Sequence, residues 1–236
     1  MSNDFFRFKR FCIRHDRCGM KVGTDGVLIG AWGCVDGRRI LDIGTGSGLI
    51  ALMAAQRNPQ ARVLGIDIDE QAVFQAQENV AASPFSDRVE CVVQDALAFS
   101  PDEPFDAVLC NPPFFTEDTL PVDDRRSAAR NNMALPFPLL IECVAALLSP
   151  EGSFSLIVPA AHVMQVTSLC LANGLHLQRR CMVRTVERKP PRRAMLCFTV
   201  RKQASVEETS LCLTSSDGSR SQDYKALTRD FYLEGL

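Results

Sequence analysis

The residues of this chain with the most evident chemical potential are Asn111-Pro112-Pro113-Phe114, which close the apolar run FDAVLC. Asn and Pro stop strands, so the plain reading is a turn. The same four residues can also grip a planar amino group. An amine attached to an aromatic ring is a poor nucleophile, because its lone pair is delocalised into the ring. Two acceptors, the Asn111 amide oxygen and the Pro112 carbonyl, would take its two hydrogens, favour a pyramidal nitrogen and aim the lone pair. Each proline fixes its φ near −65°, which stiffens the direction of that carbonyl. Phe114 would stack on the ring, a contact worth roughly 1–3 kcal/mol per base. This becomes catalysis only if a methyl donor lies beside the corner.

A binding loop for such a donor lies upstream. Asp42-Ile43-Gly44-Thr45-Gly46-Ser47-Gly48 follows a strand-like run and opens a helix-like one. Gly44, Gly46 and Gly48 let the backbone turn tightly and approach a ligand closely. The spacing is not the G-x-G-x-x-G of dinucleotide folds. The carboxylate of Asp42 would repel a pyrophosphate but would accept a cationic ligand. Asp67 ends the next strand, where such folds place an acid on a ribose diol. Asp69 beside it reads as a helix N-cap. The third strand ends in Asp95-Ala96, a carboxylate and a backbone N–H suited to an adenine edge. Any one of these acids could be structural; three at successive strand ends specify a nucleoside.

These residues need a scaffold that brings strand ends together. From Arg39 the chain alternates apolar runs (RRILDIG, RVLGIDI, VECVVQDA, PFDAVLC, GSFSLIVP) with helix-like periods. That alternation implies crossover connections and a mostly parallel sheet covered on both faces. Asn173-Gly174 reads as a helix C-cap. After residue 175 two strands joined by ERKPP form an antiparallel hairpin. Residues 203–236 begin polar and end in YKALTRDFYLEGL, a short amphipathic helix or docked terminus. The expected organisation is a basic extension (1–21), a binding core (22–202) and a tail packed on it (203–236).

With 236 residues, 46% hydrophobic and 23% charged, the chain is of ordinary globular composition. It lacks a secretory leader and the ~18-residue apolar run of a membrane span, so a cytoplasmic protein is expected. Its 10 cysteines form no C-x-x-C pair and accompany 3 histidines; no metal is expected, and the thiols should be reduced. The net charge of −2 conceals two basic segments around an acidic middle. One holds Arg7, Lys9, Arg10, Arg14, Arg17 and Lys21; the other, residues 179–202, includes Arg192 and Arg193. Such clusters are usually solvated surface, but on one face they would make a footprint for a phosphate backbone.

The glycine loop and strand-end acids resemble the S-adenosylmethionine-dependent methyltransferases of the Rossmann-like class. That resemblance implies an α/β fold with a seven-stranded sheet whose last strand is antiparallel. The Asn-Pro-Pro-aromatic corner is shared by adenine-N6, guanine-N2 and glutamine-N5 methyltransferases, so it does not fix the acceptor. The segment FRFKRFCIRHDRCGMKVGTDGVLIGAW is similar to the opening of the bacterial tRNA1(Val) adenine-37 N6-methyltransferases, and RKPPRRAMLCF and YKALTRDFYL continue the similarity. The resemblance implies S-adenosylmethionine as cofactor, the tRNA anticodon stem-loop as partner, and Lys21, Thr24 and Asp25 beside the cofactor. Thr24 itself reads as a helix N-cap. Phe114 departs from the tyrosine common in relatives without loss of stacking surface. Arg125, Arg126 and Arg130, in the long polar loop after the corner, are candidate contacts to the anticodon loop. A base inside a helix must leave its stack to reach the corner. A monomer is expected. The competing readings are rRNA guanine-N2 or protein glutamine-N5 methylation and, from another class, an RNA-binding module without turnover.

Overall fold

The computed structural model describes residues 4–17, 21–113 and 135–233. A short hairpin, β1 (Phe5–Arg7) and β2 (Cys12–Arg14), precedes helix α1 (Thr24–Trp32). Then follow β3 (Arg39–Ile43), α2 (Leu49–Arg57), β4 (Arg62–Asp67), α3 (Glu70–Ala81), β5 (Val89–Val93) and β6 (Phe105–Cys110). After the next described residues come α4 (Phe137–Leu147), β7 (Leu148–Pro159), α5 (Val163–Ala172), β8 (His176–Val186), β9 (Arg193–Thr199), β10 (Glu207–Thr214) and α6 (Gln222–Thr228).

The main sheet has strand order β10-β8-β9-β7-β6-β3-β4-β5. Every neighbouring pair is parallel except those of β9, which runs against both β7 and β8. The seven strands β3–β9, with the last reversed, are those the sequence led us to expect. An eighth, β10, comes from the segment read as a polar tail and pairs parallel to β8.

Period-two alternation sorts the strands' side chains between two cores. Ile40, Ala107, Leu109 and Ile157 face a core shared with α1, α2, α3 and both chain ends. Leu41, Val108, Cys110, Phe154, Leu156 and Val158 face the opposite core, against α4 and α5. Each fully buried Leu or Ile contributes about 1.5–3 kcal/mol. The first core also closes the chain on itself. Phe8 lies 4.8 Å from Phe11 and 5.9 Å from Tyr232, ring centroid to ring centroid, and Lys9 N donates to the Phe231 carbonyl at 2.7 Å. Phe8 and Phe11 are therefore core residues, and Phe5 is the exposed aromatic of the hairpin.

Parallel strands send their C-terminal ends to one edge. There β3 runs into the glycine loop, β4 ends at Asp67, β5 leads to Asp95, and β6 delivers Asn111.

Candidate active site

Two cavities open at this edge and share the walls Gly44, Pro112 and Pro113. The first, about 340 Å³, is bounded by Lys21, Thr24, Asp25, Gly46 and Asn111. The second, about 440 Å³, is bounded by Asp67, Ile68, Asp95, Ala96, Leu97 and Leu139. The structure thus brings together most of the catalytic and cofactor residues singled out from the sequence, in two adjoining compartments.

The loop between them is shaped by its glycines. Gly44 and Gly46 adopt φ of +71° and +53°, and a β-carbon added to either would meet no atom within 4 Å. Their backbone is bare toward the cavity, as close approach to a ligand requires. Gly44 N and Thr45 N donate to the Ile66 carbonyl, and Gly46 N donates to Asp67 Oδ2 at 2.8 Å. Asp67 Oδ1 accepts from Asp69 N at 3.1 Å. Each carboxylate oxygen keeps a further lone pair, so this holding role leaves acceptors for a diol. Asp69 caps α3 as expected, accepting from Gln71 N and Ala72 N.

Three positions differ from expectation. Asp42 lines neither cavity: it is fully buried beneath the loop, where Thr45 Oγ1 donates to its Oδ2 at 2.7 Å and Ala51 N at 3.2 Å. Burial pushes its carboxyl up to about 7, and its Oδ1 has no hydrogen-bond partner. Gly48 is likewise behind the wall, as the N-cap residue of α2, packed against Ala76. Thr24 is the first residue of α1 rather than its cap; Gly23 takes that place, and no side chain caps the helix.

Asn111 is the central finding. Its Oδ1 is buried and has no donor among the described residues, although the residue lines the first cavity. A buried acceptor without a donor costs about 1–3 kcal/mol, and such an atom in a pocket wall awaits one from a ligand. Pro112 and Pro113 follow it on the shared wall. Phe114, Arg125, Arg126 and Arg130 lie outside the described residues.

The sequence did not reveal the apolar side chains of the second cavity. Ile68 and Leu97, each 51% exposed, and Leu139, 42% exposed, present a slot suited to a flat heterocycle. The available signal was Ile68, an apolar residue directly after a strand-end acid, where a polar turn residue is usual; Leu97 and Leu139 carried no such mark.

The basic residues divide by environment. Arg7 and Arg14 are exposed on the hairpin, which is anchored to α3 where Arg14 N donates to Asn79 Oδ1. Lys9 donates to the Arg229 carbonyl, Arg10 covers the Phe85 ring, and Arg17 covers Phe74 beside Glu78. Arg192 is exposed at the β8–β9 turn, whereas Arg193 is held by Asp25. That turn lies at the same sheet edge as Asn111, because Arg193 pairs with Pro159 at the end of β7. Among the described residues no cluster of His, Cys, Asp and Glu could hold a metal, and no helix is long and apolar enough to cross a membrane.

Comparison with known proteins agrees with this geometry. Residues 26–129 match the family model described as the methyltransferase small domain. The solved structure of a predicted O-methyltransferase from Agrobacterium tumefaciens superposes with a TM-score of 0.67 at 18% identity, covering 88% of this chain and 96% of that one. The 16S rRNA N2 G1207 methyltransferase of T. thermophilus, solved with AdoMet and guanosine, gives 0.59 at 21% identity, covering 84% of this chain and 50% of that one. At these identities the two establish the fold. Sequence relatives reach further. The tRNA1(Val) (adenine(37)-N6)-methyltransferase of Bacteroides thetaiotaomicron is 43% identical over 235 residues, 99% of each chain. Its counterpart in Phocaeicola vulgatus is 44% identical over 234 residues, again 99% of each. With similarity of that degree running over nearly the whole of both chains, the chain belongs to the tRNA1(Val) (adenine(37)-N6)-methyltransferase family.

Proposed function

We propose that this protein transfers the methyl group of S-adenosylmethionine to N6 of adenine in tRNA, with adenine 37 of tRNA1(Val) as its target, and that it acts as a monomer in the cytoplasm. The observation that carries the chemistry is Asn111 Oδ1, a buried acceptor without a donor among the described residues, on the cavity wall beside the bare glycine loop. The relatives' names supply the acceptor base and the tRNA.

The residues present fit the cofactor. Asp67 and Asp95 offer carboxylates at the second cavity, and Ile68, Leu97 and Leu139 offer the apolar faces a purine needs. Gly44 joins that compartment to the one holding Lys21 and Asp25, charged groups suited to an amino-acid end. When bound, S-adenosylmethionine supplies a methyl group on a cationic sulfur, open to displacement by nitrogen.

What the chain contributes is position and charge. Asn111 Oδ1 accepts one N–H of the substrate amine and the Pro112 carbonyl the other, which orients the nitrogen lone pair. Pro112 and Pro113 keep the corner stiff, so little reorganisation accompanies the reaction. The proton becomes acidic only after the nitrogen is methylated, so no strong base is needed beforehand. Phe114 would stack on the base, and Arg7, Lys9, Arg10, Arg14, Arg17, Arg125, Arg126, Arg130 and Arg192 are the candidate phosphate contacts.

Nucleoside mass spectrometry of tRNA incubated with enzyme and labelled cofactor tests this reading. N6-methyladenosine is expected, with none from Asn111→Ala although that variant still binds the cofactor. N2-methylguanosine, or methylation of a protein glutamine, would refute it.

A further inference from the structure

Asn111 faces the first turn of α1. A β-carbon on Gly26 would lie 4.0 Å from Asn111 Nδ2 and 3.1 Å from Leu49 Cδ2, so the bare glycine and the amide are separated by about the width of a methyl group. Yet among the described residues no side chain caps this turn at its N-cap position. A helix start leaves four N–H groups without intrahelical partners, and one lacking a cap frays more readily. Some other device must keep it in place.

That device comes from β9, two strands from β6 at the same sheet edge. Arg193 Nε donates to Asp25 Oδ2 at 2.8 Å, with the two side chains 35% and 28% exposed. Asp25 is the acidic residue of the first turn, where a negative charge also suits the helix dipole. Arg193 is itself fixed at the start of β9, paired with Pro159 on one side and Val183 on the other. Its Nη1 donates to the Arg192 carbonyl, which limits the guanidinium's freedom. The ion pair therefore joins a rigid strand to a turn that no other described side chain caps, and Asn111 faces that turn.

We propose that the Asp25–Arg193 pair is a strut that sets the position of Asn111 beside the cofactor loop. On this assignment Arg193 is a positioning residue for methyl transfer and not a contact to RNA phosphate, and Asp25 positions the turn in addition to lining the cofactor cavity. The assignment rests on the methyl-transfer reading above. Small displacements of a reacting group are costly, about 100-fold for 1 Å, so loosening the turn lowers turnover far more than substrate affinity.

The test is steady-state kinetics on tRNA with Asp25→Asn, Arg193→Gln, the double variant and the charge-swapped Asp25→Arg/Arg193→Asp, each checked for folding by thermal unfolding. Each single variant is expected to lose kcat by about tenfold with the KM for tRNA within about twofold. The double variant should be no worse than the poorer single one, and the swap should recover part of the loss. Arg193→Lys, which keeps a donor near Asp25, should retain most activity and guards against a variant that merely fails to fold. If Arg193 instead meets phosphate, Arg193→Gln raises KM, reduces the salt slope by about 1, and leaves kcat intact while Asp25→Asn is silent. That pattern overturns the strut. Wild-type enzyme is assayed in parallel: product from it with unaltered variants removes only this inference, whereas no product from it removes the functional reading and the strut together.

Discussion

Asp42 makes the stability of this protein depend on pH in a direction opposite to that of most carboxylates. Its carboxyl moves from an ordinary 3.8 to about 7 because burial disfavours the charged form, against the pull of donors from Thr45 and Ala51. Between those two values the native state holds a proton that the unfolded chain has released. The contribution of Asp42 is therefore complete below about pH 4, falls as pH rises toward 7, and is level above it. Each pH unit in that window corresponds to about 1.4 kcal/mol. Asp42→Asn removes the titration and keeps an oxygen to accept from Thr45 Oγ1 and Ala51 N. Between pH 5 and pH 8 the variant should gain on the wild type by about 3 kcal/mol, from the two units remaining to the native value. Urea unfolding followed by circular dichroism at pH 5, 6, 7 and 8, on both proteins, reads this difference directly. A stability gap between them that stays constant over the series would show that Asp42 does not titrate there, and the reasoning from its burial would fail.

Gly44→Ala should cost about 1–2 kcal/mol in thermal unfolding, from the φ of +71° it imposes on an L-residue. Its methyl also projects into the cavity, so the loss of S-adenosylhomocysteine affinity by calorimetry should exceed what the stability change accounts for. Phe8→Ala removes a ring 1% exposed between Phe11 and Tyr232 and should destabilise by about 3–5 kcal/mol in urea. Among the described cysteines, iodoacetamide at neutral pH should label Cys34 first, as read by peptide mass spectrometry. Its thiol is drawn below the ordinary range by the Cys197 thiol donating to it, while burial holds Cys91, Cys110 and Cys170 above that range.

How much of this was legible in the sequence follows from the range of the interactions. Buried parallel strands write themselves as apolar runs, so β3, β4, β6 and β7 could be placed with the residues that leave them: Gly44, Asp67 and Asn111. Caps are local, and Asp69 and the Asn173-Gly174 stop, with Gly174 at φ +76°, were readable for that reason. β10 was not. Its EETSLCLT pattern is mostly polar because it lies on a sheet edge, held by its ladder to β8 and by the Arg180–Glu208 pair at 2.7 Å. Asp42 looked like a ligand because its place before the glycines is the same whether the side chain points up into the cavity or down beneath the loop. The pairing of Arg193 with Asp25 was not legible because the two lie 168 residues apart. Charge clustering in sequence cannot show which cations the fold neutralises.

The two termini are fastened to each other. The main-chain bond from Lys9 to Phe231 and the Phe8–Tyr232 stack tie the opening hairpin to residues near the last helix. Contacts so distant along the chain close the largest loops available and form slowly. A ribosome making this protein releases the hairpin well before α3, its first dock, and longer still before Phe231 and Tyr232, its second. The surface bearing Arg7 and Arg14 can settle on α3 early, and gains its remaining contacts only once the segment around residue 231 has been made.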